Sequence, residues 1–154
     1  PSIGGGTNWF SPSYSPRTDL LYVMAYDGET TYYIREDEYV AGERFTGGGG
    51  VTPLPAANYA SAVRAISPQT GDLEWEYPVQ PRSTAGVLST AGDLVFSGTI
   101  DGFFFALDGN TGEERWHINL GSRVHAGPMS YMVDGKQYVA IAAGNVLFTF
   151  AVRE

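Results

Sequence analysis

The chain has 154 residues, of which 43% are hydrophobic and 14% aromatic, and its formal net charge is −8. This composition is too apolar for a disordered chain, and the length suffices for one domain with a buried core. Nine Lys and Arg residues spread along an acidic chain do not supply the basic surface that a nucleic acid requires. Cysteine is absent, which excludes disulfides, cysteine zinc sites and C-x-x-C-H haem attachment.

The N-terminal stretch PSIGGGTNWF has neither the basic nor the apolar region of a signal peptide, and it does not begin with Met. We therefore expect a mature product or a fragment. No apolar run approaches the roughly 20 residues that span a bilayer, so no transmembrane segment is predicted. The stretch FSPSYSPRTDLLYVMAYDG that follows predicts strands of an incomplete first sheet.

The pattern changes between about residues 28 and 59. This part contains four successive glycines and two prolines in GGGGVTPLP, and it predicts an inserted Gly/Pro-rich loop. Two interpretations remain open, a loop that shapes the mouth of a site and an ordinary surface loop. The acidic cluster of Glu36, Asp37 and Glu38 is expected on a solvated part of the insertion. No helix of useful length is predicted anywhere in the chain.

Two copies of one motif indicate a repeat architecture. AISPQTGDLEW, residues 65–75, and ALDGNTGEERW, residues 106–116, share Ala, Thr, Gly and Trp at a constant offset of 41 residues. Repeats of this length are typical of solenoids, arrays and propellers.

Each motif predicts one hairpin. A β-prone run ends at Ser67 or Asp108, whose side-chain oxygen can accept hydrogen bonds from nearby backbone N–H groups. Gly71 and Gly112 then supply the positive φ that closes the turn. The returning strand carries a Trp at a fixed place in both copies, and a buried indole there is expected to pack one sheet on the next.

A similar tail follows each Trp. It contains a small-residue loop and three strands, with a tight turn at residues 91–93 in the first copy and 134–136 in the second. With the Trp-bearing strand this makes four strands per repeat, which is the blade of a β-propeller. The fold class predicted is therefore all-β, a partial propeller of about three to four blades, which the chain alone is not expected to close.

The sequence resembles the C-terminal part of the alcohol dehydrogenases that depend on pyrroloquinoline quinone (PQQ), which are built on an eight-bladed propeller. The resemblance covers essentially the whole chain, residues 1–154. Besides the two Trp motifs, it is carried by GGTNWFSPSYSPRT, TGGG, GVLSTAGDLVFSGTIDGFFFALD and HAGPMSYMVDGKQYVAIAAGN, which begin at residues 5, 46, 86 and 125.

The resemblance implies a small set of cofactor contacts. The Asn-Trp pair of the family's G-x-N-W stretch contacts the quinone, which corresponds to Asn8 and Trp9. A backbone segment at about Gly144 and Asn145 borders the cofactor. The family's catalytic Asp, and the Glu and Asn that bind Ca²⁺ or a lanthanide, lie upstream, so no catalytic or metal-binding residue is expected in this chain.

The remaining polar candidates are interpreted as structural or surface residues. His117 belongs to an alternating strand and His125 to a small-residue loop. Asp101 and Asp134 each precede a glycine, as hairpin turns prefer.

The function that the resemblance implies is oxidation of a primary or other small alcohol, with PQQ as the first electron acceptor. Further partners would be a second acceptor such as a cytochrome c and the remaining propeller blades, in the periplasm or outside the cell. The chain alone is not expected to be active. The alternative is a non-catalytic, quinoprotein-like propeller that serves as a scaffold for protein contacts. The Asn-Trp pair favours the enzyme, because a scaffold has no need of an amide at a cofactor site.

Overall fold

The computed structural model describes residues 5–51 and 60–152, and within these ranges the protein consists of strands and turns without a helix. No helix in these ranges is therefore long and apolar enough to cross a membrane. The described strands are β1 Ser13–Ser15, β2 Leu20–Asp27, β3 Thr31–Ile34, β4 Gly48–Val51, β5 Ala60–Ile66, β6 Leu73–Val79, β7 Leu88–Ser89, β8 Leu94–Gly98, β9 Phe103–Asp108, β10 Glu114–Asn119, β11 Met129–Val133, β12 Lys136–Ala143 and β13 Val146–Phe150.

The strands form three antiparallel sheets and one ribbon. Sheet 1 has the order β1-β2-β5-β6, sheet 2 the order β7-β8-β9-β10, and sheet 3 the order β11-β12-β13, while β3 and β4 form the separate ribbon. In each sheet the strands follow one another in chain order, as in the blade of a propeller. The predicted fold class, all-β with propeller blades, is confirmed.

The predicted grouping of strands into blades is wrong in two respects. Each Trp-bearing strand was expected to open a repeat, but β6 and β10 are the last strands of sheets 1 and 2. The first blade is also not incomplete. Sheet 1 has four strands, and sheet 3 is the one with three in the described part of the chain. Local sequence does not show this, because the two halves of sheet 1 are separated by more than thirty residues.

Residues 28–59 leave sheet 1 between two strands that pair directly with each other. Asp27 at the end of β2 lies opposite Ala60 at the start of β5. The described part of this excursion contains the β3–β4 ribbon, so the glycine run is partly a strand rather than an irregular loop. A Cβ added at Gly49 would lie 2.8 Å from the Tyr33 hydroxyl, so the missing side chain makes room for that ring.

The core lies between the sheets and is divided by β9. Phe105 and Leu107 belong to the buried cluster shared with sheet 1, whereas Phe104 belongs to the cluster shared with sheet 3. Successive side chains of a strand point to opposite faces, so an uninterrupted apolar run can pack on both neighbouring sheets. The sequence FFFAL of β9 is therefore that of a blade covered on both sides.

Trp75 fixes sheet 1 against sheet 2. Its indole Nε1 donates a hydrogen bond to the carbonyl oxygen of Gly109, at 2.9 Å, and the Tyr22 hydroxyl donates to the same oxygen at 3.0 Å. Trp116 of sheet 2 contacts Phe104 and Phe150 and is 39% exposed, compared with 9% for Trp75. The predicted packing role of the Trp motif is confirmed, most completely at Trp75.

The turn chemistry agrees with the prediction at Asp108, whereas the turn at Ser67 is closed by its backbone groups, with Gly71 N donating to Ser67 O at 2.8 Å. Asp108 Oδ1 accepts hydrogen bonds from the backbone N–H groups of Asn110 and Thr111, at 2.9 and 3.2 Å. Gly71 and Gly112 have φ values of 80° and 74°. These turns hold the β5–β6 and β9–β10 hairpins in their registers.

A polar cluster joins the outer strands of sheets 1 and 2. The Tyr77 hydroxyl donates a hydrogen bond to Glu114, whose other carboxylate oxygen lies 2.5 Å from His117 Nδ1. The hydrogen bond from Tyr77, and secondly the contact with His117, lower the pKa of Glu114. Burial, followed by the hydrogen bond to Glu114, raises the pKa of Tyr77 to about 12.

This cluster predicts a pH-dependent contribution to stability. The substitution Tyr77→Phe keeps the ring against Phe105 but removes the hydrogen bond, and we expect it to cost about 1 kcal/mol at pH 7. Because the pKa of Glu114 is lower in the folded state, the stabilisation is present above the unfolded pKa and is lost as the pH falls through the folded pKa. Urea denaturation at a series of pH values from 7 downward measures this, and a stability difference that stays equally large throughout the series would contradict it.

Candidate functional site at the mouth end of the sheets

Strand direction places the connections of each sheet at two opposite ends. In sheet 1, Asp27 pairs with Ala60 and Ser61 pairs with Val79. The last residues of β2 and β6 and the first residues of β5 therefore lie at the same edge of the sheet as the start of β1. In sheet 3, the start of β11 and the β12–β13 turn share one end in the same way. We call this end, from which the insertion also leaves, the mouth end.

Three loops at the mouth end precede the first strand of each sheet: residues 5–12, 80–87 and 120–128. They contact each other in order around the sheets. Val87 N donates to Ser11 O at 2.8 Å, and Gly86 N donates to Ala126 O at 3.3 Å. A Cβ added at Gly86 would lie 2.8 Å from the Cα of Gly127, so a side chain would separate these loops. The three sheets therefore converge at their first strands, which is the axial side of a propeller.

The first of these loops, residues 5–12, is anchored to β2. Tyr26 N donates to Gly6 O at 2.7 Å, and the Thr7 hydroxyl donates to Met24 O at 3.0 Å. Phe10 is buried and packs edge-on against Tyr26. The backbone of the loop is thereby fixed on both sides of residues 8 and 9.

Asn8 and Trp9 lie on the solvent side of this anchored loop. Trp9 is 72% exposed, and its backbone N–H donates to Asn8 Oδ1 at 2.8 Å. This hydrogen bond uses the amide oxygen of Asn8, and the NH₂ group of the same amide has donor character only. An exposed indole beside an oriented amide can provide a flat apolar surface and a hydrogen-bond donor.

Gly144 and Asn145 form the two-residue turn between β12 and β13, also at the mouth end. Gly144 has a φ of 57° and donates its backbone N–H to Arg123 O at 2.9 Å. Both turn residues are exposed. The structure brings this turn to the same end as Asn8 and Trp9, but it lies between the second and third strands of its sheet, farther from the axis than the loops that precede the first strands.

Sequence reasoning missed the residues at the equivalent positions of the other two loops. Thr84 Oγ1 and His125 Nδ1 form a hydrogen bond between the second and third loops, and Arg82 lies two residues before Thr84. His125 was interpreted as a structural or surface residue, and the structure shows it exposed at the mouth end. The repeat in the sequence could have indicated these residues, because they lie in the loops before β7 and β11 just as Asn8 and Trp9 lie in the loop before β1.

The acidic cluster of the insertion is solvated, as predicted. Glu36 and Glu38 are exposed, and Asp37 pairs with Arg35 at 2.7 Å. Within residues 5–51 and 60–152, no group of three or more His, Asp or Glu side chains is arranged to hold a metal ion.

The architecture described so far is that of a segment of a β-propeller, and comparison with known proteins shows which proteins it resembles. Residues 77–139 match the family described as glucose/ethanol/alcohol dehydrogenase, β-propeller domain. Over 144 residues the chain is 37% identical to the quinoprotein alcohol dehydrogenase PedE of Pseudomonas putida, covering 94% of this chain and 23% of that protein. A 1-butanol dehydrogenase (cytochrome c) of Thauera butanivorans is 36% identical and is covered over 22% of its length.

Solved structures of similar proteins agree with the sequence comparison. The quinohemoprotein alcohol dehydrogenase ADHIIG of Pseudomonas putida HK5 superposes with a TM-score of 0.81 at 33% identity, covering 94% of this chain and 23% of that one. A europium-containing methanol dehydrogenase gives a TM-score of 0.72 at 32% identity, covering 92% of this chain and 25% of that one. The chain is similar to quinoprotein alcohol dehydrogenases, and it spans about a quarter of the length of these relatives.

Proposed function

We propose that this chain is the C-terminal part of the propeller of a PQQ-dependent alcohol dehydrogenase, and that its mouth end lines the cofactor funnel. The observation that carries the proposal is the meeting of the three loops that precede β1, β7 and β11, with Asn8 and Trp9 exposed on the first of them. The similarity of the chain to quinoprotein alcohol dehydrogenases supports the same conclusion.

The residues at the mouth end fit a planar, polar cofactor. The exposed indole of Trp9 can flank a ring system, and the amide of Asn8 can donate to a carboxylate or quinone oxygen. Gly86 and Gly127 lack side chains where the loops meet, which allows the loops to pack closely against each other. The exposed Gly144 and Asn145 would border the cofactor from the third sheet. When bound, PQQ supplies the acceptance of hydride or electrons, and these residues bind and orient it.

The proposed enzyme requires further elements besides the cofactor contacts of this chain. The catalytic Asp and the ligands of a Ca²⁺ or lanthanide ion would come from blades outside this chain. The substrate would be a primary or other small alcohol, the second electron acceptor a protein such as a cytochrome c, and the compartment the periplasm or the cell exterior.

The free face of sheet 3 supports the requirement for further blades. Met129, Tyr131 and Leu147 lie on the face turned away from sheet 2, and all three are exposed. Large exposed apolar faces are uncommon on soluble proteins and mark surfaces that another element covers. We infer that a neighbouring blade, from the same or another chain, packs on this face.

The substitution Asn8→Ala tests the cofactor contact. In the complete protein that carries this segment, we expect it to weaken PQQ binding about fivefold, the loss of one hydrogen bond. Titration of the cofactor-free protein with PQQ measures this. The matched control is Asn110→Ala, which removes an exposed amide from the opposite end of the sheets. Unchanged PQQ affinity in the Asn8 variant would remove Asn8 from the site.

A further inference from the structure

The space between sheets 1 and 2 is filled unevenly along β6. Every second residue of this strand points to sheet 2, and in chain order these residues are Trp75, Tyr77 and Val79. Trp75 docks on the carbonyl of Gly109, and Tyr77 packs on Phe105 with 5.3 Å between the ring centroids. Val79 is much smaller than the two aromatic residues before it, so it leaves space between the sheets at the end of β6.

A cavity with a volume of about 320 Å³ lies at this point, within the size range of small-molecule sites. Its walls include four rings, those of Tyr77, Phe103, Phe105 and His117, in addition to Val79. Phe103 is 37% exposed, and its ring lies edge to face with that of His117 at 5.8 Å between centroids. Both walls belong to sheets that already face each other in this chain, so the cavity does not result from the absence of a neighbouring blade.

The polar side of the cavity is acidic. Glu114 is the only carboxylate among the described residues that line it, and these residues include no Lys or Arg. Its two oxygens are held by the Tyr77 hydroxyl and by His117 Nδ1. The hydrogen bond from Tyr77, and secondly that with His117, lower the pKa of Glu114, so its carboxylate keeps its negative charge at neutral pH. The cavity therefore disfavours an anion.

We propose that this cavity is a binding site for a small organic cation of the quaternary ammonium class, held against the aromatic walls and near the Glu114 carboxylate. The faces of aromatic rings attract such cations, and apolar walls suit their methyl groups. Because both oxygens of Glu114 already accept hydrogen bonds, its charge is what it chiefly offers, which suits a cation without N–H donors. The lining contains none of the cofactor candidates, so this is a second site, beyond the proposed function.

Tetramethylammonium and tert-butanol separate recognition of a cation from apolar binding. The two molecules are similar in shape, only the first is charged, and neither has an oxidisable alcohol group. Isothermal titration calorimetry on the complete protein that carries this segment, at pH 8 and constant ionic strength, measures both affinities. We expect Phe103→Leu, which removes the ring but keeps an apolar side chain, to weaken binding of tetramethylammonium about fivefold and of tert-butanol little. Glu114→Gln, which removes the charge, should do the same.

Tyr14→Leu and Glu113→Gln are the matched controls. Tyr14 is a half-exposed ring whose hydroxyl donates to Asp19, which is an aromatic group beside a carboxylate but outside the cavity. Glu113 precedes Glu114 and pairs with Arg115 at 3.4 Å. Both control variants should bind tetramethylammonium as the wild type does.

Two results would overturn the inference. One is a wild-type protein that does not bind tetramethylammonium, and the other is an equal loss of both ligands in the Phe103 and Glu114 variants, which would mean that the cavity does not recognise charge. Titration of the same variants with PQQ keeps this outcome separate from the proposed function, because neither residue is a cofactor candidate.

Discussion

Replacement of Trp75 by alanine is expected to lower the free energy of unfolding by about 3–5 kcal/mol, the usual cost of removing a buried large aromatic side chain. Trp75 is 9% exposed, packs beside Tyr22 and donates its indole N–H to Gly109 of the next sheet. The substitution leaves a cavity between sheets 1 and 2. Urea denaturation followed by circular dichroism measures the loss.

Trp116→Ala is the matched control for this experiment. The same motif position in sheet 2 is 39% exposed in the described structure, so less apolar area is lost and the expected cost is about 1–2 kcal/mol. A third variant, Trp75→Phe, should cost less than the alanine variant, since a phenyl ring fills part of the space that alanine leaves empty. Equal losses at Trp75 and Trp116 would show that the contact with the next sheet is not what stabilises Trp75.

The substitution Gly112→Ala is expected to cost about 2–4 kcal/mol, from two separate causes. Its φ of 74° strains any residue with a Cβ. In addition, the new Cβ would lie 2.7 Å from Cε3 and 2.8 Å from Cδ2 of the Trp75 ring, so the docked indole must move. The measurement is again the free energy of unfolding in urea.

Gly71 allows the two causes to be separated. It occupies the same motif position, with a φ of 80°, but a Cβ there meets nothing within 4 Å. We therefore expect Gly71→Ala to cost only the backbone strain, about 1–2 kcal/mol. The difference between the two variants reports the close packing of Trp75 on Gly112. If the two substitutions cost the same, the indole is not held against that turn.

This packing bears on function because it positions the mouth end. The loops that carry Asn8, Arg82 and His125 belong to different sheets, and their mutual placement depends on how the sheets stack. Sites on rigidly packed elements hold their geometry better than sites on isolated loops. On the proposed function, we therefore expect Trp75→Ala to weaken cofactor binding as well as stability.

Much of the fold was predictable because its signals are local. The hairpins follow from Asp108, Gly71 and Gly112, whose turn chemistry needs only neighbouring residues. The blade pattern follows from the 41-residue repeat and from the apolar run of β9. The family resemblance, carried by several motifs along the chain, agrees with the relatives found.

The grouping of strands was not predictable in the same way. A repeat fixes the spacing between equivalent strands. It does not show at which strand one sheet ends and the next begins. The four strands of sheet 1 become one unit only when β2 pairs with β5 across the insertion. Nor did the glycine run reveal the β3–β4 ribbon, which depends on Tyr33 lying over Gly49.

The sequence by itself determined the class of fold, the hairpins, the docking tryptophans and the Asn8–Trp9 pair as a cofactor candidate. Only the tertiary structure decided which strands share a sheet, and that the loops bearing Asn8, Arg82 and His125 meet at one end. The physical reason is the separation along the chain of the residues that interact. Turns and strand periodicity depend on residues a few positions apart, whereas a site at the axis is made by segments up to about 120 residues apart, which only the stacking of the sheets brings together.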